Sequence, residues 1–145
     1  MELTDITQEL RDEMYLLKED REAFEKAACD SGDNEDKKIL KEVDCLNIGL
    51  YRAHEKVEEI LKGIYGVSQD LVESIREARD FAEKEAERYK IDAEKTWAFE
   101  QKGNYDLWKY ARCRNEGYAS AYLAAIKFFN DKMAELGVRD EQLAA

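Results

Sequence analysis

The chain has 145 residues, 44% of them hydrophobic and 39% charged, and a formal net charge of −11. That length suits one domain with a single core, and the charge opposes direct binding to nucleic acid or to an anionic membrane surface. No apolar run approaches the roughly 18 residues of a membrane span, and the acidic N-terminus does not resemble a secretory leader. A cytoplasmic protein is therefore expected. The absence of proline favours long helices with short links.

The first predicted helix starts near Thr4 or Asp5 and runs to about Ala28. Leu3, Leu10, Leu17 and Phe24 recur every seven residues, with Ile6 and Met14 beside them. This stretch is also where the acidity gathers, since residues 1–34 hold eleven acidic against four basic side chains. The segment CDSGDNEDKK ends it, with Gly32 as breaker and Asp33 or Asn34 as the next cap. The calcium loop that DSGDNED suggests is not expected, because its glycine is misplaced for an EF-hand.

The second helix, about 35–65, carries Ile39, Val43, Leu46, Leu50, Ala53, Val57, Ile60 and Ile64. Their alternating spacings of four and three make a heptad seam. Gly63 and Gly66 are expected to end it, and Val67, Ser68 and Val72 to form a hydrophobic staple around a serine N-cap. The third helix, about 69–102, places Leu71, Ile75, Ala78, Ala82, Ala86, Tyr89, Ala93 and Trp97 on an eleven-residue period, which favours a straight helix. Gly103 ends it. The fourth helix, about 105–136, turns Trp108, Ala111, Ala119, Tyr122, Ile126, Phe129, Met133 and Leu136 inward and stops at Gly137.

Four long amphipathic helices with short links predict an all-α, antiparallel up-down-up-down bundle over residues 1–137, with 138–145 as a C-terminal tail. The alternative is a set of helical hairpins that completes its core by dimerising, so both monomer and homodimer are open.

Three groups of residues bear on chemistry. His54, the single histidine, has no E-x-x-H partner pattern, and it reads as a boundary side chain. Cys29, Cys45 and Cys113 are widely spaced with no C-x-x-C, so free thiols in a reducing compartment are expected. Glu58, Glu59 and Lys62 on the second helix, with Glu77 and Asp80 on the third, resemble the carboxylate pattern of all-α nucleoside triphosphate pyrophosphohydrolases. That resemblance implies magnesium held against substrate phosphates. The apolar run expected after Asp80 and Phe81 is replaced by AEKEAE, and a non-enzymatic protein without a cofactor is preferred, with the hydrolase as the alternative.

The stretch TWAFEQKGNYDLWKY holds both tryptophans and three further aromatics. Trp97 and Trp108 are expected inward, and Phe99, Tyr105, Tyr110, Arg112, Arg114, Tyr118 and Phe128 form the candidate binding surface, because aromatics and arginine dominate binding hot spots. A second candidate is the acidic row Asp5, Glu9, Asp12 and Glu19, whose spacing imitates backbone phosphates. Either surface leads to the same expectation: an acidic helical protein that binds a protein partner with a basic surface, as an inhibitor or adaptor. A phage or mobile-element anti-defence protein, acting by nucleic-acid mimicry, is one form of that expectation.

Overall fold

The computed structural model describes residues 2–12, 22–23, 26, 34–103 and 106–138. Its regular elements are α1 (3–12), α2 (Asn34–Ser68), α3 (Leu71–Gly103) and α4 (Asp106–Glu135). They pack as an all-α bundle. Ile6 and Leu10 of α1, Val57 and Leu61 of α2, Ile75 and Ala82 of α3, and Phe129 and Met133 of α4 share one buried core. No helix among the described residues is long and apolar enough to cross a membrane.

Cross-links fix the directions. Lys109 pairs with Glu42 at 2.6 Å near the start of both α2 and α4, and Gly117 meets Gly49 further along, so these two helices run parallel. Arg112 pairs with Glu100 at 2.6 Å while Arg79 donates to Asn130 at 3.3 Å, so α3 runs back along α4. The order is therefore up, down, up, with α4 packed along both α2 and α3. Helix α1 is tied to α2 by Arg11–Glu58 at 2.6 Å and to α4 by Glu9–Lys132. Burial works against the Lys132 ammonium, but the hydrogen bonds it donates to Glu9 and Glu135 outweigh it and raise its pKa.

The helix ends differ from expectation at one link. Helix α2 continues through Gly63 and Gly66 to Ser68. Gln69 then takes a left-handed φ of 56° and returns its N–H to the Tyr65 carbonyl at 2.8 Å. Asp70, not Ser68, caps α3, accepting from the Glu73 amide at 3.1 Å. An ionised carboxylate suits the positive end of the helix dipole better than a hydroxyl. Val67 is 90% exposed and forms no staple. The C-terminus of α4 behaves as expected: Gly137 adopts φ 75°, and the 3.0 Å bonds Val138 N–H to Met133 O and Gly137 N–H to Ala134 O make a Schellman motif.

The predicted seams hold in the middle and fail at one end. Ala53 and Val57 are buried, but Ile39 is 44% exposed, and Asn47, His54 and Leu61 share the buried stripe of α2. In α3 the stripe runs through Ile75, Ala78, Ala82 and Ala86, then leaves the predicted line. Trp97, expected inward, is 53% exposed. From Tyr89 and Ala93 the inward line proceeds to Thr96 and Glu100, one turn apart, because both are half-buried polar residues with partners. Thr96 donates to the Asp92 and Ala93 carbonyls at 2.9 Å, and Glu100 accepts from Arg112.

Candidate functional site

An exposed apolar groove lies between α3 and α4. Ala93, Ala98 and Ala119 supply small side chains, which keep the two helix surfaces low and leave space above them. Trp97 and Leu123 wall that space, and the resulting groove encloses about 620 Å³. Both walls are more than half exposed, Trp97 at 53% and Leu123 at 59%. Its polar edges are Lys90, Glu94 and Glu116. Glu116 accepts from Arg112 at 3.0 Å, so its charge is partly satisfied within α4.

The same Arg112 holds the two helices in register. Its Nε donates to Glu100 at 2.6 Å and its Nη1 to Glu116, with 21% of the side chain exposed. The hydrogen bond from Arg112 holds the Glu100 pKa below the usual carboxylate range, and the carboxylates raise the guanidinium's own pKa. Arg112 is thus a structural tie and not a free anchor.

The other residues predicted as one binding surface are divided among several environments. Phe99 is 49% exposed and stacks on Trp108 with centroids 4.8 Å apart. It is two positions from Trp97, and two residues turn about 200° around a helix, so the pair flank α3 on opposite sides. Trp108 is half-buried rather than fully inward. Tyr110, predicted outward, is half-buried, with the Lys41 ammonium 5.6 Å above its ring. Phe128, also predicted outward, is 9% exposed and packs edge-on against Phe129. Helix α4 buries two adjacent rows near its C-terminus, 121/125/128/132 as well as 122/129/133. A helix packed against several neighbours has a wider apolar face than a two-helix seam. Tyr118 is half-buried and stacked on Tyr89 at 4.3 Å. Arg114 is exposed as predicted, and Tyr105 lies outside the described residues.

On α1, Asp5, Glu9 and Asp12 are exposed, yet each has a local partner. Asp5 accepts from the Glu2 amide at 2.9 Å, Glu9 pairs with Lys132, and Asp12 accepts from Gln8 at 2.9 Å. Glu19 lies outside the described residues.

The carboxylates of the hydrolase alternative are not gathered. Glu58 lies between Arg11 and Lys62, at 2.6 and 2.7 Å. Burial works against its charge, but the hydrogen bonds from these two cations outweigh it and lower its pKa. Asp80 sits 3.5 Å from Arg79. Among the described residues no group of three or more His, Cys, Asp or Glu side chains could hold a metal ion. Cys45 and Cys113 are free thiols whose pKa burial raises, and Cys29 lies outside the described residues.

Sequence reasoning missed three features. Leu123 falls on the solvent side of the α4 pattern and reads as an isolated apolar residue. Its partner in the groove, Trp97, falls on the inward line of the α3 pattern. Gly49 and Gly117 sit mid-helix, where an isolated glycine signals a packing reason.

No protein-family model, no curated protein and no solved structure matches the chain.

Proposed function

We propose that this protein is non-enzymatic and acts by binding a second protein through the groove between α3 and α4. The occupant is a basic amphipathic helix, laid with its apolar face over the alanines and its cations toward Glu94 and Glu116. The observation that carries this reading is the joint exposure of Trp97 and Leu123 over a small-residue floor. A groove of that kind suits helix-in-groove recognition, and exposed tryptophan is the side chain most enriched in binding hot spots. The acidic balance of the chain and the two carboxylates on the rim favour a basic occupant. An inhibitor or adaptor role is consistent with this mode of binding.

Parallel capture with wild type, Trp97→Ala, Leu123→Asp and Phe99→Ala as baits tests the groove. A specific partner should be retained by wild type and by Phe99→Ala, and lost or weakened at least fivefold by the other two, the scale of an anchor truncation of about 1 kcal/mol. All four baits should melt together, because exposed substitutions usually change stability by about 0.5 kcal/mol or less. A partner held equally by all four baits rules out the groove. Concentration-dependent dimerisation that Leu123→Asp abolishes would make a second copy of the chain the occupant instead.

A further inference from the structure

A second, differently built cleft opens between α2, α3 and α4, with a volume of about 350 Å³. Its apolar part is a shelf of tyrosines. The Tyr89 ring is near-parallel to that of Tyr118, at 4.3 Å and 14°, and to that of the buried Tyr122, at 5.9 Å and 11°. Burial pushes the Tyr89 and Tyr122 phenols above their ordinary pKa.

Three cations line the same space: Arg52 and Lys56 from successive turns of α2, and Arg88 from α3. Arg88 lies 5.2 Å over the Tyr89 ring and touches Glu85 at 3.5 Å, the one carboxylate of the lining. Arg52 and Lys56 are exposed and make no hydrogen bond, ion pair or ring contact among the described residues. These two cations stand together although acidic side chains outnumber basic ones by 34 to 23 in the chain. The cleft is a local cationic site on an acidic molecule.

We infer that this cleft binds a small organic monophosphate, with the phosphate held by Arg52, Lys56 and Arg88 and a planar body lying against the accessible parts of Tyr89 and Tyr118. Guanidinium and ammonium donors form charge-assisted bonds to phosphate, and arginine can do so in two places at once. The volume falls at the small end of ligand pockets. The surrounding negative charge repels an extended polyanion, so a compact ligand with one phosphate fits where a nucleic-acid strand does not. Glu85 offers an acceptor for a hydroxyl on the ligand body. The site uses neither Trp97 nor Leu123, so it stands or falls independently of the groove on the other side of α3.

The test is a titration of the full chain at low ionic strength with AMP, adenosine, inorganic phosphate and a short DNA oligonucleotide, followed by backbone and tyrosine NMR shifts. AMP should bind saturably and shift residues 52–56, 85–89, Tyr118 and Tyr122. Adenosine and phosphate should each bind more weakly than AMP. Arg52→Gln and Lys56→Gln should each weaken AMP by about tenfold, the scale of one charge-assisted bond, with unchanged melts because both side chains are exposed. Lys90→Gln, at the other groove, should leave AMP affinity unchanged. The inference is overturned if AMP does not saturate, if its shifts map elsewhere, or if Arg52→Gln and Lys56→Gln bind like wild type. It is equally overturned if adenosine or phosphate alone matches AMP, or if the oligonucleotide binds more tightly than AMP.

Discussion

His54 is 4% exposed, and its Nδ1 finds no hydrogen-bond partner among the described residues. Burial lowers its pKa below the ordinary 6.5, because a charged imidazole loses hydration that nothing nearby replaces. The folded state therefore holds the neutral ring, while the unfolded chain protonates normally. Stability should be level above about pH 6.5 and decline as pH falls from there toward the lowered folded value, by at most about 1.4 kcal/mol per pH unit. Glu58 and Glu100, whose pKa values are also lowered, act in a separate window. Their stabilisation is complete above about 4.5 and is lost below it. Urea midpoints across pH should thus show two steps in wild type and only the lower one in His54→Gln. Equal slopes between about pH 6.5 and 4.5 in both proteins would remove the histidine from the account. Val57 provides the companion test at this scale. It is 1% exposed, so Val57→Asp would bury an uncompensated charge, at a cost of several kcal/mol. A melt like that of wild type would show that the α2 seam is wrongly placed.

At the scale of elements, the contact between α2 and α4 is set by glycine. A Cβ on Gly117 would stand 3.3 Å from the Gly49 Cα and overlap the Leu46 carbonyl oxygen; one on Gly49 would stand 2.8 Å from the Tyr118 nitrogen and overlap the Arg114 oxygen. Only backbone faces these positions, and backbone cannot step aside as a flexible side chain can. Gly117→Ala should therefore destabilise by about 1–3 kcal/mol or more, the range of overpacking. Gly63→Ala is the opposite case. It lies within α2 with nothing within 4 Å, and the change should stabilise by roughly 0.5–1 kcal/mol. Paired thermal melts decide both signs. What the sequence made legible follows the same division. The α2 seam was readable because Ala53 and Val57 alternate with charged neighbours. The end of α3 was not, because Thr96 and Glu100 are polar residues on an inward line and become suitable there only through partners 3 to 12 residues away. Pattern reading ranks residues by polarity. It cannot see that Arg112 will neutralise Glu100, nor that several neighbours will widen the buried face of α4 to include Phe128.

Across the whole molecule, the two surfaces differ in the charge that lines them. The groove has acidic edges and the tyrosine cleft has cations, on a chain of net charge −11. For a basic partner, long-range attraction should govern encounter, and contact at Trp97 and Leu123 should govern residence. Raising salt should therefore slow association, while Trp97→Ala should mainly speed dissociation. Stopped-flow or surface-binding kinetics with the captured partner would separate these effects; a salt-independent association rate would contradict the charge argument. The chain should also release no phosphate or pyrophosphate from nucleoside triphosphates with magnesium, given that Glu58 is engaged by Arg11 and Lys62. Turnover abolished in Glu59→Gln and Asp80→Asn would reverse the functional reading.

The meeting of Gly49 and Gly117 has a consequence for how this protein can vary. In most cores, a lost contact can be restored by enlarging a neighbour, so lineages drift through compensating pairs of side chains. Where two main chains touch, there is no neighbour to shrink. A saturation library should find these two sites intolerant together, with no second-site side-chain change nearby that rescues them. Rescue would have to come from changes that let α2 and α4 separate along their length. The crossing point would then stay fixed while the surfaces on either side of it diversify.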